Sequence, residues 1–398
     1  MYCVRKLKND LWWVGANDRK LALFEGQYPI LRGVSYNSYL LLDEKTVLLD
    51  TVDKSVSGQF LENIAYVLGD RKMDYLIVNH MEPDHCATVA EVALRYPEVT
   101  LVCNQKTVPM LEQFFGKGIT GKIQVVDEKA TLNTGKHILA FVMAPMVHWP
   151  EAMMTYDSTE KTLFSADAFG SFGALHGHLF ADEVCFEEEW LTDARRYYTN
   201  IVGKYGAAVQ TVLKKAAAVP ISMVCPLHGP IWRENLGWII DKYSHWSACE
   251  PEETGVVIAY ASVYGNTENA AQILAMKLAD AGMKKVRVYD VSTTHVSELV
   301  AEAFRYSHLV FAAPTLDGGV FPAMAELLHH LVAHNLHHRK VAFLENGTWA
   351  PMAAKGMEQI LSACKDLTVL KPTVTMKSSL DMDGLAAIDA LVAAIAEV

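Results

Sequence analysis

At 398 residues the chain exceeds one ordinary domain of about 100–200 residues, so two domains are expected, and 51% hydrophobic with 20% charged residues excludes a disordered or low-complexity protein. The net charge of −11, from 35 Lys and Arg against 46 Asp and Glu, argues against nucleic acid and anionic membrane as partners, because both are polyanions. No apolar run reaches the roughly 18 residues of a membrane span, and the opening MYCVRKLKNDLWWVG lacks the apolar core of a signal peptide, so a cytoplasmic location is expected.

The first 250 residues open with short alternating strands (LWWVG, SYNSYLLLD, TVLLDTV) and then mix strands and helices, as in DYLIVN, ATVAEVALRY, VTLVCN, TVPMLEQFF and ILAFVMAP. This pattern predicts two mixed sheets with outer helices. The strand DYLIVN runs into His80, Glu82, Asp84 and His85, an H-x-E-x-D-H run in which strand alternation turns His80 and Glu82 the same way, while Asp84 and His85 are expected on a turn fixed by Pro83. Four ligand-type side chains in six residues suit a compact two-centre metal site better than a polar helix cap. Three further candidates follow apolar runs: His148 in VMAPMVHWP, Asp167 in TLFSADAFG and His228 in SMVCPLHGP. Taken singly, each reads as well as a core histidine or a helix cap. The seven cysteines are scattered without a C-x-x-C pair, so any metal must sit on histidine and carboxylate, with Cys86 and Cys225 expected as small buried residues.

CEPEETG, near residue 250, reads as a linker, dividing the chain into domains 1–250 and 254–398. Beyond it five strands alternate with five helices: GVVIAY, a helix from about Thr267 to Ala281, KVRVYDV, HVSELVAEAFRY, HLVFAAP, AMAELLHHLVA, KVAFLEN, MEQILSACK, TVLKPTVTM and LAAIDALVAAIAEV. That is an α/β, doubly wound five-stranded parallel sheet. Its first loop, Ser262, Val263, Tyr264, Gly265, Asn266 and Thr267, is rich in hydroxyl and amide donors and leads into a helix N-terminus. It lacks Lys and Arg, which suits a monophosphate held by neutral donors.

The ordered set of histidines and carboxylates resembles the metallo-β-lactamase fold, an αββα sandwich, and with the flavodoxin-like domain behind it the chain resembles the flavodiiron proteins from end to end. Zinc hydrolases of the superfamily carry H-x-H-x-D-H, where this chain has Glu82. A carboxylate there moves the site toward harder, oxygen-rich ligation that suits a non-haem iron pair. The resemblance implies that His80, Glu82 and His148 hold one iron, that Asp84, His85 and His228 hold the other, and that Asp167 bridges them. AAPTLDGGVFP and LENGTWAPMAAKG resemble the flavodoxin loops that enclose an isoalloxazine ring, which places Pro314, Thr315, Leu316 and Asp317 on one side of FMN and Asn346, Gly347, Thr348 and Trp349 on the other, with Trp349 as a stacking surface.

The resemblance further implies reduction of O2 to water, of NO to N2O, or of both, in a head-to-tail homodimer or dimer of dimers. The implied external electron donor is rubredoxin, a reduced deazaflavin or another flavoprotein. A zinc-dependent hydrolase fused to a flavodoxin-like electron-transfer module is the competing reading. His176 and His178 are candidates to supply protons or a hydrogen bond to substrate, whereas His329, His330, His334, His337 and His338 are expected to form a solvated face.

Overall fold

The computed structural model describes residues 1–118 and 122–397; Val398, the last residue of the expected final helix, lies outside them. By packing, the chain divides into Met1–Tyr198 with Ala207–Ser244, and Thr199–Gly206 with His245–Val398. The segment at 199–206 joins the second unit through Asn200, whose amide donates to the Ser297 carbonyl at 3.0 Å and whose carbonyl lies 3.3 Å from His334 Nε2.

The first unit carries a mixed seven-stranded sheet and a five-stranded sheet. In the larger sheet Thr46–Leu49, Tyr75–Ile77, Thr100–Asn104 and Ile123–Val126 run parallel, so their carboxyl ends share one edge. In the smaller, Ile138–Met143 and Thr162–Phe164 are both antiparallel to Met153–Asp157, and Met223–Cys225 is parallel to Thr162–Phe164. The carboxyl ends of Ile138–Met143, Thr162–Phe164 and Met223–Cys225 therefore also share an edge. The loops leaving them carry His148, Asp167 and His228. Leu48, Leu76, Ile77, Val102, Leu139 and Cys225 are fully buried, as are strands covered on both faces.

Away from that edge, His137 is buried between two carboxylates, with Nδ1 2.7 Å from Asp157 and Nε2 3.1 Å from Asp10. Asp10 precedes the strand Leu11–Trp13 of the larger sheet and Asp157 ends a strand of the smaller, so the imidazole ties the two sheets together. Lys136 reaches Asp10 at 3.1 Å, and Lys8 and Glu160 stand close by. Burial opposes charge on His137, but Asp10 and Asp157 outweigh it and raise its pKa. A raised imidazole contributes stability that is complete below its unfolded pKa and is lost as pH rises through its folded one. His137→Asn is therefore expected to cost about 3 kcal/mol at pH 6, with the cost shrinking at alkaline pH. Thermal melts of both proteins across that range check it, and a cost independent of pH would contradict it.

The second unit is a parallel sheet with the order Val286–Asp290, Glu253–Tyr260, Tyr306–Leu316, Arg339–Asn346 and Leu367–Val369, the doubly wound arrangement. Strand alternation splits its core. Val257, Ala259, Leu309, Phe311, Val341 and Phe343 face one set of helices, while Val256, Ile258, Val310, Ala312, Ala342 and Leu344 face the helices Asn266–Asp280 and Met382–Ala396.

Two expectations need correction here. The fifth strand, TVLKPTVTM, is two pieces, Leu367–Val369 and Val374–Met376, each paired with Arg339–Asn346, because Pro372 has no N–H for the ladder. Pro314, Thr315 and Leu316 are not loop residues. Tyr306–Leu316 continues past the sheet and folds back through Asp317 and Gly318, both at positive φ, onto Gly319–Val320, as an Asp-Gly hairpin turn requires.

Candidate metal centre and flavin cradle

The structure gathers all seven predicted metal-site residues into two adjoining groups of donor atoms: His80, Glu82, His148 and Asp167, and Asp84, His85 and His228. Asp167 stands between them. Its Oδ2 lies 3.1 Å from His80 Nε2 and 3.2 Å from His148 Nε2, and its Oδ1 lies 3.2 Å from His85 Nε2 and 3.6 Å from His228 Nε2. Glu82 Oε2 faces His148 Nε2 at 2.9 Å and His80 Nε2 at 3.3 Å. Asp84 Oδ2 faces His228 Nε2 at 3.2 Å and His85 Nε2 at 3.3 Å. Asp84 and His85 lie in a short helix, Pro83–Cys86, rather than on a turn, because Pro83 at its first position is preset for helix and needs no N–H partner. Cys86 and Cys225 are fully buried.

The surroundings fix the rings. His80 Nδ1 donates to Glu151 Oε1 at 2.9 Å, and His228 Nδ1 donates to the Ser35 carbonyl at 2.8 Å, which turns each Nε2 lone pair into the site. Asp50 braces the loop by accepting from Asn79 N–H and side-chain amide, both at 2.7 Å; burial pushes its pKa up to about 6 against these bonds. Phe24, Tyr36 and Tyr197 pack edge-on or tilted around His228 and close the site on that side.

A cation pair fits these residues. Among the described residues both oxygens of Asp84 and of Asp167 are buried without a hydrogen bond, and the His85 and His228 Nε2 atoms face each other at 2.9 Å. Imidazole and carboxylate lone pairs converge there, an arrangement that cations satisfy. The same convergence shows in the protonation equilibria. Burial opposes charge on His80 and His148, yet the carboxylates outweigh it, lifting His148 to about 9 and His80 well above the usual imidazole value. Burial would raise Asp167, but His80 and His85 hold it far below the usual carboxylate range. His85 Nε2 lies inside the second donor group, an orientation the sequence cannot show.

His176 and His178 are exposed and outside both groups; the first faces Arg19 at 3.2 Å and the second Glu183 at 3.8 Å. The histidines at 329–338 enter no donor group among the described residues. They are not uniformly solvated: His330 and His334 stack, and His334 Nδ1 bonds the His330 carbonyl. Sequence reasoning missed Glu151, three residues after His148, and Asp50, at the end of Thr46–Leu49. It also missed Glu25, whose pKa is pushed up to about 8 by desolvation and then by a hydrogen bond with Glu82.

In the second unit, the predicted flavin residues gather at the carboxyl edge of the sheet. Gly265, at φ 89°, caps the helix Asn266–Asp280 with no side chain on its first amides, leaving those N–H groups for a phosphate. Ser262 Oγ accepts from Gly265 N–H at 3.1 Å and holds the turn. Asn346 laces the rim by donating to the Ser378 carbonyl at 2.8 Å and accepting from Ser378 N–H at 3.0 Å, and its amide reaches Thr267 Oγ1 at 3.4 Å. Thr348 Oγ1 bonds Ser378 Oγ, and Thr315 Oγ1 accepts from Met352 N–H at 2.8 Å. Val263 and Leu316 are exposed, and Tyr264 and Trp349 stand 92% and 90% exposed: large aromatic faces a planar cofactor would cover. A Cβ on Gly347 would lie 2.8 Å from Pro351 Cα, so the loop has no room there.

Residues 34–229 match the family described as ODP family beta lactamase and residues 258–365 match Flavodoxin. An anaerobic nitric oxide reductase flavorubredoxin of Vibrio vulnificus is 32% identical over 354 residues, covering 86% of this chain and 70% of that protein. The chain belongs to the flavodiiron protein family. Rubredoxin oxygen:oxidoreductase from Desulfovibrio gigas superposes with a TM-score of 0.93 at 26% identity, covering 99% of this chain and 98% of the other. The flavodiiron protein from Giardia intestinalis gives 0.91 at 26%, covering 99% and 96%. The fold is thus that of a flavodiiron protein, a metallo-β-lactamase-like domain followed by a flavodoxin-like one, and the cofactors are FMN and two non-haem irons. The chain is an oxidoreductase of the family that includes nitric oxide and oxygen reductases. The described residues contain no helix long and apolar enough to cross a membrane.

Proposed function

We propose that the chain reduces O2 to water, NO to N2O, or both, at an iron pair held by His80, Glu82, His148, Asp84, His85 and His228 with Asp167 between them. The observation that carries this reading is Asp167, whose two buried oxygens each face a different histidine pair. An FMN supplies up to two electrons and two ferrous ions one each, four in all, which is the number O2 needs to become two waters; two NO need two. The protein's own part is to fix the donor atoms. Glu151 and the Ser35 carbonyl hold the His80 and His228 rings, and Phe24, Tyr36 and Tyr197 limit water around them. The seven intact carboxylate and imidazole donors, Glu82 among them, favour this reading over a zinc hydrolase, and metal analysis of the purified protein separates the two.

Ser262, Val263, Tyr264, Gly265, Asn266 and Thr267 are proposed to hold the FMN phosphate. Pro314, Thr315, Leu316, Asp317, Asn346, Gly347, Thr348 and Trp349 are proposed to enclose the ring. The domains proposed are 1–250 and 254–398. Electrons are proposed to come from a separate donor, a rubredoxin, a reduced deazaflavin or another flavoprotein, and a head-to-tail homodimer is proposed to bring the FMN of one subunit to the irons of the other. Parallel turnover of the anaerobically reduced protein with O2 and with NO is expected to show consumption of at least one gas; consumption of neither would overturn the assignment. Light scattering is expected to give a dimer or larger, and full activity in a pure monomer would refute the dimer.

A further inference from the structure

The two donor groups are matched in ligand type but not in what stands behind the ligands. Glu151 has a side chain with no exposed surface, and its Oε1 receives two N–H groups, His80 Nδ1 at 2.9 Å and Met81 N–H at 2.8 Å. The loop that carries it is pinned by the Asn104 amide on the Glu151 carbonyl, and Glu151 Oε2 has no hydrogen-bond partner among the described residues. Behind the other group, among the described residues, His228 Nδ1 meets the neutral Ser35 carbonyl and His85 Nδ1 is buried without a hydrogen-bond partner. A full negative charge on the far N–H of an imidazole makes its Nε2 a stronger donor, and a stronger donor favours the more highly charged metal.

The charge count points the same way. Two ferrous ions carry four positive charges in a buried site, against three from the carboxylates of Glu82, Asp84 and Asp167. Glu151 brings a further negative charge one imidazole away on the His80 side, whereas the buried Asp50 carboxylate is engaged by the Asn79 N–H and side-chain amide rather than by a ligand's ring nitrogen. Burying an uncompensated charge is expensive, so a neutral diferrous site is the more stable one.

We propose that Glu151 is a positioning residue that makes the two iron positions unequal: it holds the Nδ1 proton of His80, balances the diferrous charge, and lowers the reduction potential of the iron on the His80 side. This rests on the diiron reading above. An iron held on the Asp84 and His228 side would then accept its electron at a higher potential than one held on the His80 side.

The test uses the iron-loaded, FMN-loaded full chain and two variants. Glu151→Gln keeps an acceptor for the His80 proton and removes the charge, while Glu151→Asp keeps the charge at a shorter reach. Redox titration followed by Mössbauer and electron paramagnetic resonance spectroscopy is expected to show one of the two iron potentials raised in E151Q and one of two Mössbauer doublets shifted. The other iron and the FMN potentials should stay put, and E151D should return toward the parent values. Iron falling below two per chain in E151Q and recovering in E151D also supports the charge balance. Unchanged potentials and doublets in E151Q, equal shifts at both irons, or iron loss in both variants would overturn the proposal. A parent chain that loads no iron pair at all would instead overturn the diiron reading beneath it.

Discussion

Asp167→Ala is expected to abolish gas reduction, with turnover down by more than about 100-fold, while leaving FMN bound. Among the described residues Asp167 is the one whose atoms face both donor groups, so its loss removes a donor from each at once and leaves His80, His148, His85 and His228 without the carboxylate they share. Iron per chain should fall from two toward none, as elemental analysis would show, and the flavin spectrum should be that of the parent protein. The residues proposed to hold FMN belong to the other compact unit. Retention of both irons with full turnover would show that the bridge is not needed.

Asn346→Ala is the mirror experiment. Asn346 is buried at the end of Arg339–Asn346 and joins the loop that follows it to Ser378 through two short hydrogen bonds and to Thr267 through a longer one. At about 1 kcal/mol for each of the two short bonds, their loss corresponds to roughly a 30-fold weaker hold on FMN. Both irons should remain. Fluorescence titration of the flavin-free protein measures the affinity, and an unchanged value would mean that the rim is held by its other bonds, those of Thr315 and Thr348.

The donor residues were legible in the sequence because each follows an apolar strand, and strands that share direction bring their carboxyl ends to one edge whatever their separation along the chain. His80 and His228 are an example, each placed by the strand just before it. What surrounds the donors was not legible. Glu151 serves His80 from 71 residues away, and Asp50 braces Asn79 from 29 residues away, through loop paths that no periodicity encodes. The rotation of His85 into the second group is a side-chain torsion, invisible to spacing arguments. His176 and His178 looked promising because they closely follow Asp167, but the chain carries them out to the surface beside Arg19 and Glu183. In the second unit the alternation of strand and helix gave the sheet directly. The hairpin at Asp317 and Gly318 escaped because the run AAPTLDGGVFP carries turn residues that suit either a loop or a hairpin tip, and only pairing with Gly319–Val320 decides.

Electrons held on the flavin are proposed to leave through the iron pair. Single-turnover stopped-flow tests it most directly: the fully reduced, iron-loaded protein is mixed with O2 or with NO, the flavin absorbance is followed, and the same is done with Asp167→Ala. The flavin of the parent protein is predicted to reoxidise with at least one gas, without hydrogen peroxide in the case of O2, and the flavin of the variant at least tenfold more slowly (about 1.4 kcal/mol of barrier). Equal reoxidation rates in the two proteins would contradict the account.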